Sequence, residues 1–153
     1  MKSLNLLSIS HGIDAINNLE GKDLSVPTPL KKHEAESLVD FCSKIKSINN
    51  CMALFENYFI SYSIPQIGKE FDLLRFGEDY IINIELKSEL TPKIEETKNN
   101  NQMHKNYYYL KFLDKPIYVF TYTKGGIVFK YNSINNSSSD SSLMELIQLI
   151  ENQ

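Results

Sequence analysis

The stretch EFDLLRFGEDYIINIELK, residues 70–87, predicts two β-strands that form a hairpin. Glu70–Phe76 and Tyr80–Lys87 are rich in aliphatic and aromatic side chains, and Gly77-Glu78-Asp79 between them is typical of a tight turn. The two strands are therefore expected to pair in antiparallel fashion within the sheet of this protein.

One face of the second strand carries polar side chains. Successive side chains of a strand point to opposite faces, so Asn83, Glu85 and Lys87 share one face, and the isoleucine and leucine residues between them share the other. At the usual strand rise, the Cα atoms of Glu85 and Lys87 lie about 7 Å apart. Asp72 precedes Glu85 by thirteen residues, and pairing of the hairpin can bring the two carboxylates side by side.

The rest of the sequence predicts helices and strands on both sides of this hairpin. In chain order the predicted elements are a short helix near Asp14–Glu20, a helix over Pro29–Ile48 capped at Thr28, strands at Ala53–Ile64, Glu70–Phe76 and Tyr80–Lys87, a helix over Ile94–Leu113, strands at Pro116–Thr123 and Gly126–Tyr131, and a helix at Leu143–Glu151. The turn at Lys124-Gly125 joins the last two strands, and the serine- and asparagine-rich Asn132–Ser142 is predicted as a surface loop. This order predicts an α/β domain with a central mixed β-sheet flanked by helices.

Length and composition are those of one domain. The chain has 153 residues, of which 42% are hydrophobic and 11% aromatic, and this is enough to bury a core. Residues 1–28 are expected to form an N-terminal extension, and residues 29–153 the domain itself. The serine-rich loop is also compatible with a linker, so the chain could be one domain excised from a larger protein.

The composition also restricts the compartment and the partners. Cys42 and Cys51 have no further cysteines with which to complete a zinc site, and a reducing compartment is predicted. No run of eighteen apolar residues exists and the N-terminus is too polar for a secretory signal, so we expect a cytoplasmic protein without a membrane partner. The formal net charge of −3 argues against a simple nucleic-acid binder. Binding of nucleic acid would need a bound cation, lysines clustered on one face, or help from another domain.

Asp72, Glu85 and Lys87 together form a candidate metal site. Two carboxylates on neighbouring strands supply the oxygen ligands and the negative charge that a hard divalent cation prefers. A nearby lysine can hold an attacking water and offset charge in the transition state of phosphate hydrolysis. Two other Glu-x-Lys triplets, at residues 20–22 and 96–98, fall in a predicted turn and a predicted helix. The alternative is a solvated sheet face on which Glu and Lys merely alternate with core residues.

Both long helices carry polar side chains within their apolar arcs. At about 100° per residue, Glu34 falls inside the arc of the first helix, and Gln102 and Asn106 fall inside the arc of the second. Glu34 could reach a metal or its coordinated water, or it could favour the dipole at the helix N-terminus. Gln102 could hold the lysine, a metal-bound water or a phosphate, or it could be an ordinary buried amide.

These residues resemble the PD-(D/E)XK nuclease superfamily. The resemblance is carried by Glu70-Phe71-Asp72, by Glu85-Leu86-Lys87 at the end of an apolar strand and by Gln102 on the following helix, and it covers roughly residues 29–122. It implies a restriction-endonuclease-like core of order α-β-β-β-α-β. It also implies hydrolysis of nucleic acid, most often DNA, that depends on Mg²⁺ or Mn²⁺.

The resemblance further implies a role for each residue of the site. Asp72 and Glu85 would ligate the metal, with the backbone carbonyl of Leu86 as a further ligand. Glu34 matches the glutamate that many members carry on their first helix and would join the metal site. Lys87 would position the water, whose in-line attack on phosphorus would leave a 5′-phosphate.

Two positions depart from the family pattern. Phe71 stands where the family's name has proline, and Asn106 stands where members with the RecB-like signature have tyrosine. The segment from Gln102 to Phe112 is similar to nuclease domains of defence or repair proteins, which are often joined to a helicase. A helicase or other domain, in cis or in trans, is therefore an expected partner, and a homo-oligomer is compatible with the sequence.

Two other classes of function are compatible with the same residues. One is a catalytically inactive nucleic-acid- or protein-binding module that keeps the fold. The other is an interaction domain whose acidic strand face is incidental.

Overall fold

The computed structural model describes residues 3–17, 30–88 and 94–153, which form six β-strands and four α-helices. In chain order these are α1 (Leu6–Asn17), α2 (Lys32–Ile48), β1 (Tyr58–Ile64), β2 (Lys69–Phe76), β3 (Ile81–Lys87), α3 (Ile94–Leu110), β4 (Ile117–Thr123), β5 (Ile127–Asn132), β6 (Ser137–Ser141) and α4 (Leu143–Glu151). Short 3₁₀ turns lie at Met52–Phe55, Pro65–Ile67 and Lys111–Leu113. None of the helices in the described ranges combines the length and apolarity needed to span a membrane.

The strands form one mixed sheet in the order β1-β2-β3-β4-β5-β6. The pair β3 and β4 is parallel, and every other neighbouring pair is antiparallel. Parallel neighbours need a crossover connection, and α3 lies in the chain between these two strands. The predicted α/β class with a central mixed sheet is confirmed.

Helices cover both faces of the sheet. The main core lies on one face, where α2 packs against β3 and residues of α1 and α4 belong to the same cluster. The cluster includes Leu6, Leu38, Phe41, Ile82, Ile84, Leu86, Leu146 and Ile150. On the other face, Met103 of α3 packs with Val119 of β4, and Leu110 of α3 packs with Ile81 of β3. The polar side of β3 therefore faces α3.

The first helix lies earlier in the chain than predicted. It begins at Leu6 rather than near Asp14, because Asn5 caps it: its Oδ1 accepts a hydrogen bond of 3.2 Å from the N–H of Ser8. Residues 18–20 of the predicted helix lie outside the described residues. Part of the predicted N-terminal extension thus belongs to the main core, to which α1 contributes Leu6 and Ile13.

The second helix begins at Lys32, four residues after the predicted cap. Thr28 and Pro29 lie outside the described residues. The N–H of Lys31 donates to the Glu34 carboxylate at 2.9 Å, which satisfies one of the groups left free at a helix start. The predicted end at Ile48 is confirmed.

Three predictions for the strands and the second long helix differ from the structure by more than one residue. The first strand begins at Tyr58 instead of Ala53, because Met52–Phe55 forms a 3₁₀ turn and Asn57 after it has a left-handed φ of 68°. The second long helix stops at Leu110, three residues early, before its own short 3₁₀ turn. The serine-rich segment contains the edge strand Ser137–Ser141, whose polar side chains give no alternating apolar signal.

Candidate active site

The site forms where the pairing of β2 with β3 ends. The last regular pair of that ladder is Leu73 with Ile84, and the same register would place Asp72 opposite Glu85. Instead, the N–H of Leu86 donates a hydrogen bond of 2.9 Å to Asp72 Oδ2. The Asp72 carboxyl group thus takes the place of a backbone partner, within hydrogen-bonding reach of Glu85.

The neighbouring strand is distorted at the same point. In the pairing of β1 with β2, Ile60 is opposite Leu73 and Tyr62 is opposite Phe71. Ser61 lies between these two pairs and is therefore opposite Asp72. Ser61 has a left-handed φ of 51°, which costs a residue other than glycine on the order of 1 to 3 kcal/mol. Strain of this kind is maintained only where the surrounding structure enforces it, and it often marks functional sites.

This distortion reverses the direction of side chains along both strands. Phe71 and Leu74 are three residues apart, so a regular strand would direct them to opposite faces, yet both pack in the cluster on the α3 side. Phe59 and Tyr62 of β1 behave in the same way. Lys69 consequently shares the α3 side with Phe71, and its Nζ lies 5.0 Å from the Phe71 ring centroid.

Side-chain amides surround the Glu85 carboxylate, which is only 1% exposed. Asn106 Nδ2 donates to Oε1 at 2.6 Å, and Gln102 Nε2 donates to Oε2 at 2.8 Å. Asn83 Nδ2 lies 3.4 Å from Oε1 and also donates to the Leu73 carbonyl at 3.0 Å. Burial of a carboxylate is costly without such donors, so these amides stabilise Glu85 in its position.

Gln102 connects the acidic and basic halves of the site. Its amide nitrogen donates to Glu85, and its Oε1 accepts a hydrogen bond of 2.6 Å from Lys87 Nζ. Because one amide makes both bonds, its orientation is determined. The Lys87 ammonium group is therefore held next to the Glu85 carboxylate.

The Asp72 carboxyl group has an altered acidity. Burial and the nearby carboxylate of Glu85 raise the pKa of Asp72 to about 8, against a smaller lowering by the N–H of Leu86 and the charge of Lys87. Two acidic groups in one buried place cannot both ionise easily. A bound cation would favour the ionised form of both groups.

Glu34 is not part of this pair. It is buried at the start of α2, where its Oε2 accepts from Lys31 and its Oε1 lies 3.8 Å from both Lys31 Nζ and His33 Nε2. Its helix packs on the opposite face of the sheet. Ser37, one turn further along α2, contacts β3: its Oγ donates a hydrogen bond of 2.9 Å to the Lys87 carbonyl. The geometry corresponds to the second expectation for Glu34, a carboxylate at a helix N-terminus.

Two members of the site were not singled out from the sequence. Asn106 and Asn83 are fully buried and bonded to each other, with Asn106 Nδ2 donating to Asn83 Oδ1 at 2.8 Å. Both carried a weak signal, Asn106 within the apolar arc of its helix and Asn83 on the polar face of β3. The buried Oδ1 of Asn106 has no hydrogen-bond partner among the described residues.

Asp72 and Glu85 are the residues that could hold a magnesium ion. Within residues 3–17, 30–88 and 94–153, no group of three or more His, Cys, Asp or Glu residues could hold a metal. Mg²⁺, however, commonly binds through one or two carboxylates and keeps several waters. Asp72 and Glu85 supply such a pair, and Asn106, whose Nδ2 donates to Glu85, carries a buried oxygen without a hydrogen-bond partner among the described residues. The carbonyl of Leu86 stays a predicted further ligand.

Comparison with protein-family models, with curated proteins and with solved structures found no match to this chain.

Asn106→Ala is expected to destabilise the protein by about 2 kcal/mol, because Glu85 and Asn83 would each lose a buried donor. The measurement is the free energy of unfolding in urea, in the presence of EDTA at neutral pH. Asn101→Ala is the matched control, since Asn101 lies on the same helix with an exposed side chain. Equal stability of the two variants would contradict a structural role of Asn106 in holding Glu85.

Proposed function

We propose that this chain is a metal-dependent nuclease of the PD-(D/E)XK type that hydrolyses phosphodiester bonds of nucleic acid, with DNA as the expected substrate. The observation that carries the proposal is the convergence of Asp72, Glu85 and Lys87 at one point. The two carboxyl groups lie within hydrogen-bonding reach, and Gln102 ties the lysine to Glu85.

The order of elements supports the same proposal. The succession α2, β1, β2, β3, α3, β4 has the helix, three strands, helix, strand order that the family resemblance implies. The acidic pair sits where β2 and β3 stop pairing, and Gln102 comes from the helix that follows them. In the proposed class the same elements supply the two acidic residues, the lysine and the glutamine.

Each residue of the site has its own role in the proposed reaction. Asp72 and Glu85 would hold Mg²⁺ or Mn²⁺, which when bound polarises the phosphate and increases the acidity of water. Lys87 donates one hydrogen bond to Gln102 and has two more N–H groups to offer. Its ammonium group orients the nucleophilic water and offsets negative charge on the phosphate oxygens. Gln102 keeps that ammonium group in place.

One observation favours a second candidate, a catalytically inactive module with the same fold. Side-chain amides satisfy the Glu85 carboxylate, which is almost completely buried. A carboxylate so well satisfied can serve the structure alone. The two candidates differ in whether the acidic pair binds a divalent cation.

Calorimetric titration with Mn²⁺ tests that difference. The nuclease is expected to bind Mn²⁺ at a saturable site, more tightly at pH 8.5 than at pH 6.5, because Asp72 must lose its proton to become a ligand. Binding should release protons at the lower pH, which is measured by repeating the titration in buffers of different ionisation enthalpy. An acidic face without function would give no saturable heat.

Cleavage assays complete the test of the proposal. Single-stranded DNA, duplex DNA and RNA are incubated with Mg²⁺, with Mn²⁺ or with EDTA. Cleavage with either metal and none with EDTA is the expected result. Saturable Mn²⁺ binding without cleavage of any of the three substrates would favour the inactive module.

A further inference from the structure

Lys69 lies near the acidic pair and near two further lysines from other elements. Lys69 comes from the start of β2, Lys87 from the end of β3 and Lys105 from α3. The ammonium group of Lys69 lies close enough to interact electrostatically with both carboxyl groups, Asp72 and Glu85, and with both of the other lysines.

Lys69 is held towards the site by the distortion described above. The reversal at Asp72 turns Lys69 to the α3 side, where its ammonium group lies over the Phe71 ring. The pKa of Lys69 is lowered, mainly because burial disfavours the charged ammonium group. The Glu85 and Asp72 carboxyl groups oppose this effect, whereas Lys105 and Lys87 add to it. The protein thus keeps a partly buried ammonium group close to two others, an arrangement that a nearby anion would stabilise.

Lys105 lies on α3, near enough to the ammonium group of Lys69 to interact with it electrostatically. It follows Gln102 by three residues on α3, so the two side chains are neighbours on the helix surface. It also directly precedes Asn106. Its side chain is exposed, whereas Asn106 is fully buried against Glu85.

Within the described residues, no ion pair neutralises the positive charge of these lysines. Among the described residues, the ion pairs within 4.0 Å involve Lys31, His33, Lys124 and Lys130, and none involves the three lysines of the site. Lys87 is bound to an uncharged amide. In the part of the chain that the structure describes, three lysines without a close ion pair therefore lie near one another beside an acidic pair, as expected of a site for a polyanion.

We infer that Lys69 and Lys105 bind a backbone phosphate next to the one at Asp72 and Glu85, so that the substrate is a polynucleotide strand rather than a free nucleotide. The inference rests on the proposed nuclease function, since it takes the acidic pair as the place of the scissile phosphate. Lys87 contacts the scissile phosphate, and Lys69 and Lys105 contact the adjacent phosphate of the strand. The lysines would also supply the positive charge that an acidic chain needs in order to bind nucleic acid.

The test is the affinity for a fluorescently labelled DNA oligonucleotide, measured by anisotropy in EDTA at several salt concentrations. Lys69→Gln and Lys105→Gln are each expected to weaken binding about five- to tenfold at roughly 0.1 M salt. Each should also lower the slope of log K against log salt by about 0.9 on duplex DNA and about 0.7 on a single strand. Lys69→Arg and Lys105→Arg retain the charge and should restore both quantities.

Lys46→Gln is the matched control, because Lys46 is exposed on α2, which packs on the opposite face of the sheet. Unchanged affinity and slope in both glutamine variants, with cleavage by the wild type intact, would overturn the inference and leave the proposed function standing. Absence of cleavage by the wild type, with binding still dependent on both lysines, would instead overturn the proposed function. Equal weakening by Lys46→Gln would show that only overall charge matters and would also overturn the inference.

Discussion

Glu85→Gln is expected to lower the rate of metal-dependent DNA cleavage by more than about 100-fold. Residues that merely support a metal ligand are typically worth 10- to 100-fold, and Glu85 is proposed as a ligand itself. The substitution removes the negative charge while keeping the size of the side chain. The measurement is the single-turnover rate of cleavage at saturating Mg²⁺.

The same substitution also disturbs Lys87. The two Glu85 oxygens accept from the amide groups of Gln102 and Asn106, and a glutamine would place a donor opposite one of these donors. If the Gln102 amide turned to avoid the conflict, its oxygen would leave Lys87. Loss of the charge and loss of the lysine's orientation therefore act together.

Glu70→Gln is the control for this variant. Glu70 lies on β2 near Asp72, but its side chain is exposed, so its removal should leave the cleavage rate unchanged. Retention of the full rate by the Glu85 variant would exclude Glu85 from the reaction. Equal losses in both variants would point to a general effect of charge.

Asp72→Asn is expected to stabilise the metal-free protein at high pH and to abolish its binding of Mn²⁺. The ordinary pKa of the group is 3.8, and the folded protein raises it to about 8. Between these values the folded state keeps a proton that the unfolded state has lost. The unfolding free energy of the wild type therefore falls as pH rises through this window, by up to about 1.4 kcal/mol per pH unit.

The variant removes this pH dependence because asparagine does not titrate. Its Oδ1 can still accept a hydrogen bond from the N–H of Leu86. Its amide group can donate to the Glu85 carboxylate at any pH, without a second carboxyl group that must keep a proton. We expect equal stability of variant and wild type near pH 4, and a gap in favour of the variant that widens up to pH 8. The gap in stability is what the acidic pair costs the metal-free fold, as is common at functional sites.

Urea unfolding in EDTA at intervals between pH 4 and pH 8.5 measures the effect. Asp140→Asn is the control, since Asp140 is exposed on the edge strand β6 and should change the pH dependence little. A wild-type stability that stays level between pH 5 and pH 8 would show that Asp72 does not hold the extra proton.

Local periodicity was sufficient to predict most of the elements. Alternation along β3 predicted that Glu85 and Lys87 share a face opposite the core, and α4 was predicted with its bounds, Leu143–Glu151. Alternation fails where neither face of a strand is apolar. The edge strand Ser137–Ser141 was therefore predicted as a loop.

The position of the site's amides could be predicted only in part. The helical arc indicated that Gln102 and Asn106 point inward, because rotation about a helix axis follows from residue number alone. It could not tell which groups they meet. That depends on how α3 lies on the sheet, which is decided by its packing against β4 and by the parallel crossover.

The sequence by itself determined an α/β chain whose third strand presents a glutamate and a lysine on its polar face, because those properties depend on neighbours a few residues apart. The tertiary structure alone decided that Asp72 replaces a backbone partner of Leu86 and that Glu34 caps its own helix. It also decided that Lys69 turns towards the acidic pair. Each of these depends on the end of a strand ladder or the placement of a helix, and such features arise from packing between segments that are distant in the chain.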